Sequence, residues 1–482
     1  MKKRNVIRLL LTAGMALAWT ASSGALAQKA PAAAGKPAAA ASHKQTPPPG
    51  GPPKPFNVPP RETFTLPNGM HVTLVPYGNL PKATVMVTVR AGGLNEPGDQ
   101  VWISDITGTL MKEGGTTSRT SEQVAQQAAS MGGSIEVGAD ADQTQVYIDV
   151  LSEFAPKAVD LLADVVQHPL LPESELGRIK QDFLRNLAIE KSRSQPLARE
   201  AFMKALYPDH PYGRVFPTEE MLKKYTIADV QKFYKGNFGA QRTHIYVAGK
   251  FDAAAVKKTV MDSFSAWAKG PEPLINVPKT SAKHEFTLID RPNAAQSTVY
   301  IGLPTIDPSS PDYVAMSVMN TLLGGSFGSR ITSNIREQKG YTYSPFSQLA
   351  ARYRSGYWAE VADVTTAVTG PSIKEILGEI ERLQKEAPGD QELQGIKDYL
   401  AGIFVLRNSS RLGIIGQLIF VDLHGLGDDY LKNYVQHVYA VTPQQVQQMA
   451  EKYLAPSKMT IVVVGDKSKI AGQLAPYEAS GQ

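Results

Sequence analysis

The chain has 482 residues, 42% of them hydrophobic, with 50 Lys and Arg against 45 Asp and Glu, so it can bury two cores or more. It contains no cysteine, which excludes disulfides, a thiolate nucleophile and a thiolate metal site. Lys2, Lys3, Arg4 and Arg8 fall within an acid-free opening and account for four of the five net positive charges; the rest of the chain is near neutral and carries no basic footprint for nucleic acid.

Those cations precede an apolar run, Leu9 to Trp19, and the small-residue sequence Ala25, Leu26, Ala27. This order is that of a cleavable export signal. The run is shorter than the roughly 20 apolar residues of a membrane span, and no later stretch is long and uncharged enough to serve as one. The expectation is a signal peptide over 1–27 and a soluble, periplasmic product, with full secretion as the alternative. Residues 28–60, dominated by Ala, Pro, Gly and Lys, read as a flexible or polyproline-like linker.

Next, Asn68-Gly69 between two apolar runs predicts a β-hairpin over 64–75. Thr84 to Arg90 reads as a strand, and Ser121 to Met131 as a capped helix stopped by Gly132 and Gly133. Strands are expected over Ser134 to Val137 and Gln145 to Leu151, then an amphipathic helix over Glu153 to Gln167.

The chain also repeats itself. Thr226 to Gln231 answers to Thr442 to Gln447, and Ile245 to Gly249 to Ile461 to Gly465, both at an offset of 216; Glu175 to Lys180 answers to Glu392 to Lys397 at 217. Each unit reads as a Thr-capped helix, a loop and an apolar strand closed by Gly. The expected organisation is two homologous α+β domains, 61–268 and 284–478, joined by a connector, 269–283. Each would be an α/β sandwich, a mainly antiparallel sheet with helices packed on one face.

The hairpin opening, a helix ending in Leu110–Gly114, Gly132-Gly133 before a strand, and the stretch Arg336–Tyr343 resemble the insulysin/pitrilysin-like (insulinase) zinc metallopeptidase superfamily over nearly all of residues 60–478. Active members hold zinc with HxxEH on an early helix, two His at i and i+4 sharing a helical face with a Glu as base. A further Glu about 75 residues downstream completes the ligands. Aligned on Leu110–Gly114, this chain has Asp105, Gly108 and Thr109 where the first His, the Glu and the second His should stand. Asp105 and Thr109 cannot replace two imidazoles and Gly108 cannot take a proton, so no metal is expected in this chain. Glu190 falls near the region of the distant ligand and reads as a solvated helix residue.

The resemblance assigns another role to Arg336 and Tyr343, seven residues apart: reaching a peptide at a zinc site, with the Tyr donating to the developing oxyanion and the Arg gripping the backbone. Tyr341 competes for the Tyr position, and the bland alternative pairs Arg336 with Glu337 and places Tyr343 in the core. The stretch Gly324, Gly325 and Gly328 lacks the Gly-Lys-Ser/Thr ending of a phosphate loop and is expected as a mobile loop beside bound peptide. His71, His168, His210 and His244 are read as structural. The reading implied is the non-zinc subunit of a heterodimeric peptidase, inactive alone, whose HxxEH-bearing partner supplies zinc and with which it binds peptide substrates. The alternative is an inactive scaffold or peptide-binding protein of the same fold.

Overall fold

A computed structural model describes residues 56–478; the expected signal peptide and most of the linker lie outside the described residues. The first strands are β1 (Glu62–Thr65) and β2 (His71–Pro76), antiparallel. Their turn works because Gly69 adopts φ +89°, a conformation a side chain would strain, and because the Asn68 amide donates to the carbonyls of Phe264 and Trp267.

The other strands of this sheet are β3 (Lys82–Val89), β4 (Glu136–Ala139), β5 (Thr144–Leu151) and β6 (Thr243–Gly249), in spatial order β1-β2-β6-β3-β5-β4. Strand β4 starts two residues later than expected, Ser134 and Ile135 lying before it in irregular backbone. Its helices are α1 (Ile103–Glu113), α2 (Ser121–Ser130), α3 (Ala155–Gln167), α4 (Glu173–Lys191), α5 (Ser194–Leu206), α6 (Glu219–Lys224), α7 (Ile227–Asn237) and α8 (Ala253–Phe264). Sequence-local chemistry fixes their starts: Thr120 with Gln123, and Thr226 with Asp229, form capping boxes at α2 and α7.

Residues 268–284 carry no helix or strand. Beyond them come β7 (Glu285–Asp290), β8 (Gln296–Thr305), β9 (Phe346–Arg352), β10 (Ser355–Thr365) and β11 (Thr460–Gly465), in order β7-β11-β8-β10-β9. That is the order of β2-β6-β3-β5-β4, with the one parallel pair in the same place in both sheets. The accompanying helices are α9 (Tyr313–Asn320), the short α10 (Arg330–Thr332), α11 (Thr369–Lys385), α12 (Asp390–Arg407), α13 (Arg411–His424), α14 (Asp429–Ala440), α15 (Pro443–Tyr453) and α16 (Lys467–Glu478). The fold is α+β, two mixed but mainly antiparallel sheets covered by helices.

Alternate residues of each strand serve different cores. From β3, Val85 and Val87 meet Ile106 and Leu110 of α1 and Val159 and Leu162 of α3; from β10, Trp358 and Ala362 meet Ile373 and Ile376 of α11. The reverse faces are buried too, which explains why β3 is apolar nearly throughout. Met86 and Tyr246 of the first sheet receive Ile415 and Leu418 of α13, while Tyr300 and Val462 of the second receive Phe202 and Met203 of α5. Each half thus lends a helix to the other half's sheet, and the two lent helices start at Ser194 and Arg411, the spacing of the sequence repeat. Each fully buried Leu, Ile or Phe contributes roughly 1.5–3 kcal/mol, so the halves are held by a shared core.

Polar anchors repeat with the exchange. Thr84 donates to Asp149 at 2.7 Å and Thr298 to Asp363 at 2.5 Å. Arg411, at the start of α13, closes the first pair with donors 2.9 and 3.1 Å from the two oxygens of Asp149. Gln195, at the start of α5, closes the second at 2.7 Å from Asp363.

Candidate functional site

Helix α1 begins without a capping side chain of its own: Trp102 precedes it at φ +69°. The carboxylate of Glu96 replaces the cap, accepting the Trp102 and Ser104 amides at 3.0 Å each and the Ser104 hydroxyl at 2.5 Å. An anion there also suits the helix dipole, although burial pushes the Glu96 carboxyl up.

One turn on, burial, followed by the charge of Glu96, pushes the Asp105 carboxyl up to about 7. Gly108 is buried, and a Cβ there would stand 3.2 Å from Val137 Cγ1 of β4, so any side chain would press on Val137. Thr109 turns its hydroxyl back to the Asp105 carbonyl at 2.9 Å, the ordinary satisfaction of a helical Thr. Asp105, Gly108 and Thr109 therefore do not fit a zinc ion. Glu190, near the end of α4, lies 3.4 Å from Arg193. Among the described residues, no group of three or more His, Cys, Asp and Glu is placed to hold a metal.

The Arg336 region is built differently. The stretch Thr321–Gly325 is a π-helix rather than a loop, and a second one, Ser333–Gln338, carries Arg336; such segments recur at functional sites. Its base is fixed by Arg330, which donates to both oxygens of Glu392 at 2.8 Å, and by Asn334, which donates to Glu375 and Glu379 at 3.0 and 2.8 Å. After the helix Gly340 turns at φ +64°, and Thr342 bridges to Val364 while its hydroxyl donates to the Asp363 carbonyl at 2.7 Å.

Pinning Thr342 sends its neighbours to opposite environments. Tyr341 packs on the core beside Ile335, whereas Tyr343 is 78% exposed. The Arg336 guanidinium lies 5.1 Å from the Tyr343 ring centroid and 4.2 Å from that of Phe327, itself 69% exposed. Its Nε is also 3.1 Å from Glu337. The ion pair of the bland alternative is thus present, but the buried Tyr343 is not. Two ring faces hold the cation, each worth about 0.5–1 kcal/mol, and the Tyr343 hydroxyl points to solvent-accessible space.

The glycines divide. Gly328 has nothing near its missing Cβ, and Gly325 is part-exposed. Gly324, expected beside bound peptide, is buried: a Cβ there would stand 2.6 Å from both Glu360 Oε2 and Ser347 Oγ. Its role is close packing. Glu360, in β10, is fully buried and among the described residues neither carboxylate oxygen has a hydrogen-bond partner; burial drives its carboxyl strongly upward. Sequence reasoning passed over it, although a Glu between Trp358 and Ala362 on an inward-facing alternation was the available signal. Phe327 was missed as well.

The four histidines read as structural each have a polar partner. His210 accepts the Tyr212 amide and meets the Asn276 carbonyl; His168 lies 3.4 Å from Asp164; His71 and His244 meet Thr65 and Thr73. Among the described residues no hydrogen bond or ion pair joins Asp105 or Thr109 to Arg336 or Tyr343.

The insulinase (peptidase family M16) model matches residues 74–217, across α1, and the peptidase M16 inactive-domain model matches residues 224–400, across Arg336 and Tyr343. The chain belongs to the insulinase family. An M16 inactive domain from Pseudomonas fluorescens is 26% identical with a TM-score of 0.77, over 84% of this chain and 98% of that one. A Helicobacter pylori protease, 19% identical over 85% of this chain and all of its own, shares the fold at a TM-score of 0.78. An uncharacterized zinc protease of Mycobacterium bovis is 25% identical over 404 residues, 82% of this chain and 91% of its own. In this insulinase-family chain Asp105, Gly108 and Thr109 are taken up by the burial and hydrogen bonds of α1, while Tyr343 and Phe327 beside Arg336 are exposed. No helix among the described residues is long and apolar enough to cross a membrane.

Proposed function

We propose that this chain is the non-zinc subunit of a heterodimeric insulinase-family peptidase of the periplasm, and that Arg336 and Tyr343 act on peptide bound at the zinc site of an HxxEH-bearing partner. The observation that carries this reading is the contrast between the two stretches. Asp105, Gly108 and Thr109 are taken up by the packing and hydrogen bonds of α1, whereas Arg336 sits on a braced π-helix against the ring of Tyr343, which follows that helix and is exposed. Tyr343 then donates its hydroxyl to the peptide carbonyl oxygen as it takes on negative charge. Arg336, with a planar fork of donors, grips backbone carbonyls and keeps the peptide in register.

The test is turnover by the two-chain complex with Arg336→Gln or Tyr343→Phe in this subunit. Strongly slowed hydrolysis with assembly intact supports the proposal. Unchanged turnover in both variants refutes it and leaves a scaffold or peptide-binding protein.

A further inference from the structure

Behind the first sheet, on the face turned away from α1 and α3, lies a second place built for a ligand. A cavity of about 480 Å³ opens between β2, β3 and β6, the end of α13 and the connector residue Pro273. That size suits a small molecule. In the other half the reverse face of the sheet is closed by Tyr207, Tyr212 and Tyr357, so the repeat does not impose the opening.

One end of the cavity is cationic. Arg242 is buried, its Nε and Nη1 already donating to the Glu272 carbonyl and to Asn237. Arg90 is close enough to depress the Arg242 guanidinium further, after burial itself. Arg90 stacks on Tyr353 at 4.5 Å, and among the described residues its side chain donates no hydrogen bond and has no carboxylate within ion-pair distance. Burial pushes the Asp142 carboxyl up, against the hydrogen bond it accepts from the Tyr212 hydroxyl at 2.5 Å and the charges of Arg352 and Arg90. Two neighbouring guanidiniums with spare donors invite an anion.

The other end is acidic. Asp422 Oδ2 accepts the Tyr246 hydroxyl and lies 3.2 Å from His244 Nδ1. His244 is held neutral at neutral pH, burial and then His71 pushing it down to about 3, and its Nε2 is bonded to Thr73 at 2.8 Å. The Asp422 side chain is 45% exposed; burial pushes its carboxyl up, while the Tyr246 hydroxyl and the charge of Arg61, itself paired with Asp428, favour its ionised form. Arg242 stands just before β6, and His244 and Tyr246 lie two and four positions further on, with two residues of strand spanning roughly 6.6 Å. The acidic end therefore stands about 7–13 Å from the cationic one.

We infer that this cavity binds a short zwitterionic peptide of two or three residues, its carboxylate on Arg90 and Arg242 and its amino group on Asp422. An extended peptide of that length spans the gap at about 3.3–3.6 Å per residue, over the apolar floor of Ile419, Val421 and Leu426. The inference does not depend on the proposed subunit role, since the cavity shares no residue with the Arg336 cluster.

Calorimetric titration of the full chain with trialanine, N-acetyl-trialanine and trialanine amide tests it. Trialanine should bind, and capping either end should weaken binding about tenfold, one charge-assisted contact being worth about 1.4 kcal/mol. Arg90→Gln should weaken trialanine similarly and leave the amide's affinity unchanged; Asp422→Asn should weaken trialanine and leave the acetylated peptide's unchanged. Capping the peptide leaves the protein intact, so this arm reads out even if a variant folds poorly. No binding of trialanine at millimolar concentration, equal binding of all three peptides, or inorganic phosphate binding as tightly as trialanine would overturn the inference.

Discussion

The guanidinium of Arg336 lies 5.1 Å from the ring centroid of Tyr343 and 4.2 Å from that of Phe327. A cation held against two exposed rings is positioned while staying about a quarter exposed, and one of those rings also carries the hydroxyl assigned to the oxyanion. Tyr343→Phe keeps the stack and removes only the hydroxyl. In the two-chain peptidase it should lower kcat about 10²-fold or more. Phe327→Ala loosens Arg336 and should act chiefly on KM, by a few fold. Steady-state kinetics on complexes of unchanged native mass separates the two effects.

Asp105 links the closed-off helix to pH. Its carboxyl is pushed up to about 7 by burial and by Glu96, so the folded chain holds this proton more tightly than the unfolded chain. Asp105 therefore costs stability as pH rises from about 4 to about 7. Asp105→Asn should be the more stable form at pH 8, by roughly 1–2 kcal/mol after discounting for partial exposure. The advantage should vanish by pH 4. Urea unfolding at the two pH values checks this.

Glu360 and Gly324 form one packing unit. Replacing the unpartnered carboxyl with an apolar group of similar size, Glu360→Met, should stabilise the chain by about 1–3 kcal/mol, as for other buried ionisable groups without partners. Gly324→Ala should destabilise by about 1–3 kcal/mol, because the new methyl meets Glu360 and Ser347. The penalty should shrink when Glu360→Ala is made as well, the non-additivity expected of residues in contact. Melting temperatures of the three variants and the pair decide it.

Arg411 bridges the halves through Nε and Nη2, both donating to Asp149. Arg411→Ala leaves Asp149 with Thr84 and Lys82 and should cost about 1–3 kcal/mol. Protection of β3 and β5 amides should fall most. Hydrogen exchange followed by peptide mapping reads this directly.

Local chemistry was legible in the sequence where it is short-ranged. Asn68-Gly69 announced its hairpin, and Thr226 and Thr442 their helices. The spacing of matched stretches pointed to two sheets of one design. The loss of imidazoles at Asp105 and Thr109 could be read directly, because ligand chemistry is a property of residue type. The lending of α5 and α13 to the opposite sheets could not, since Phe202 on Tyr300 and Leu418 on Met86 are contacts between residues far apart in the chain. Nor could the exposure of Tyr343 be read against the burial of Tyr341. That is decided by the bridge from Thr342 to Val364, a tertiary contact without local signature. Gly324 misled because a glycine needed for close packing looks, in sequence, like one needed for a loop.

The most direct measurement is the native mass and zinc content of the complex recovered with this chain from its own cells under gentle conditions, before and after its dissociation. The expected result is a one-to-one complex with an HxxEH-bearing chain of similar size, in which zinc and peptide hydrolysis depend on that partner and this chain alone has neither. A monomer or self-dimer that binds zinc and cleaves peptides, or one that has no such partner, would contradict it.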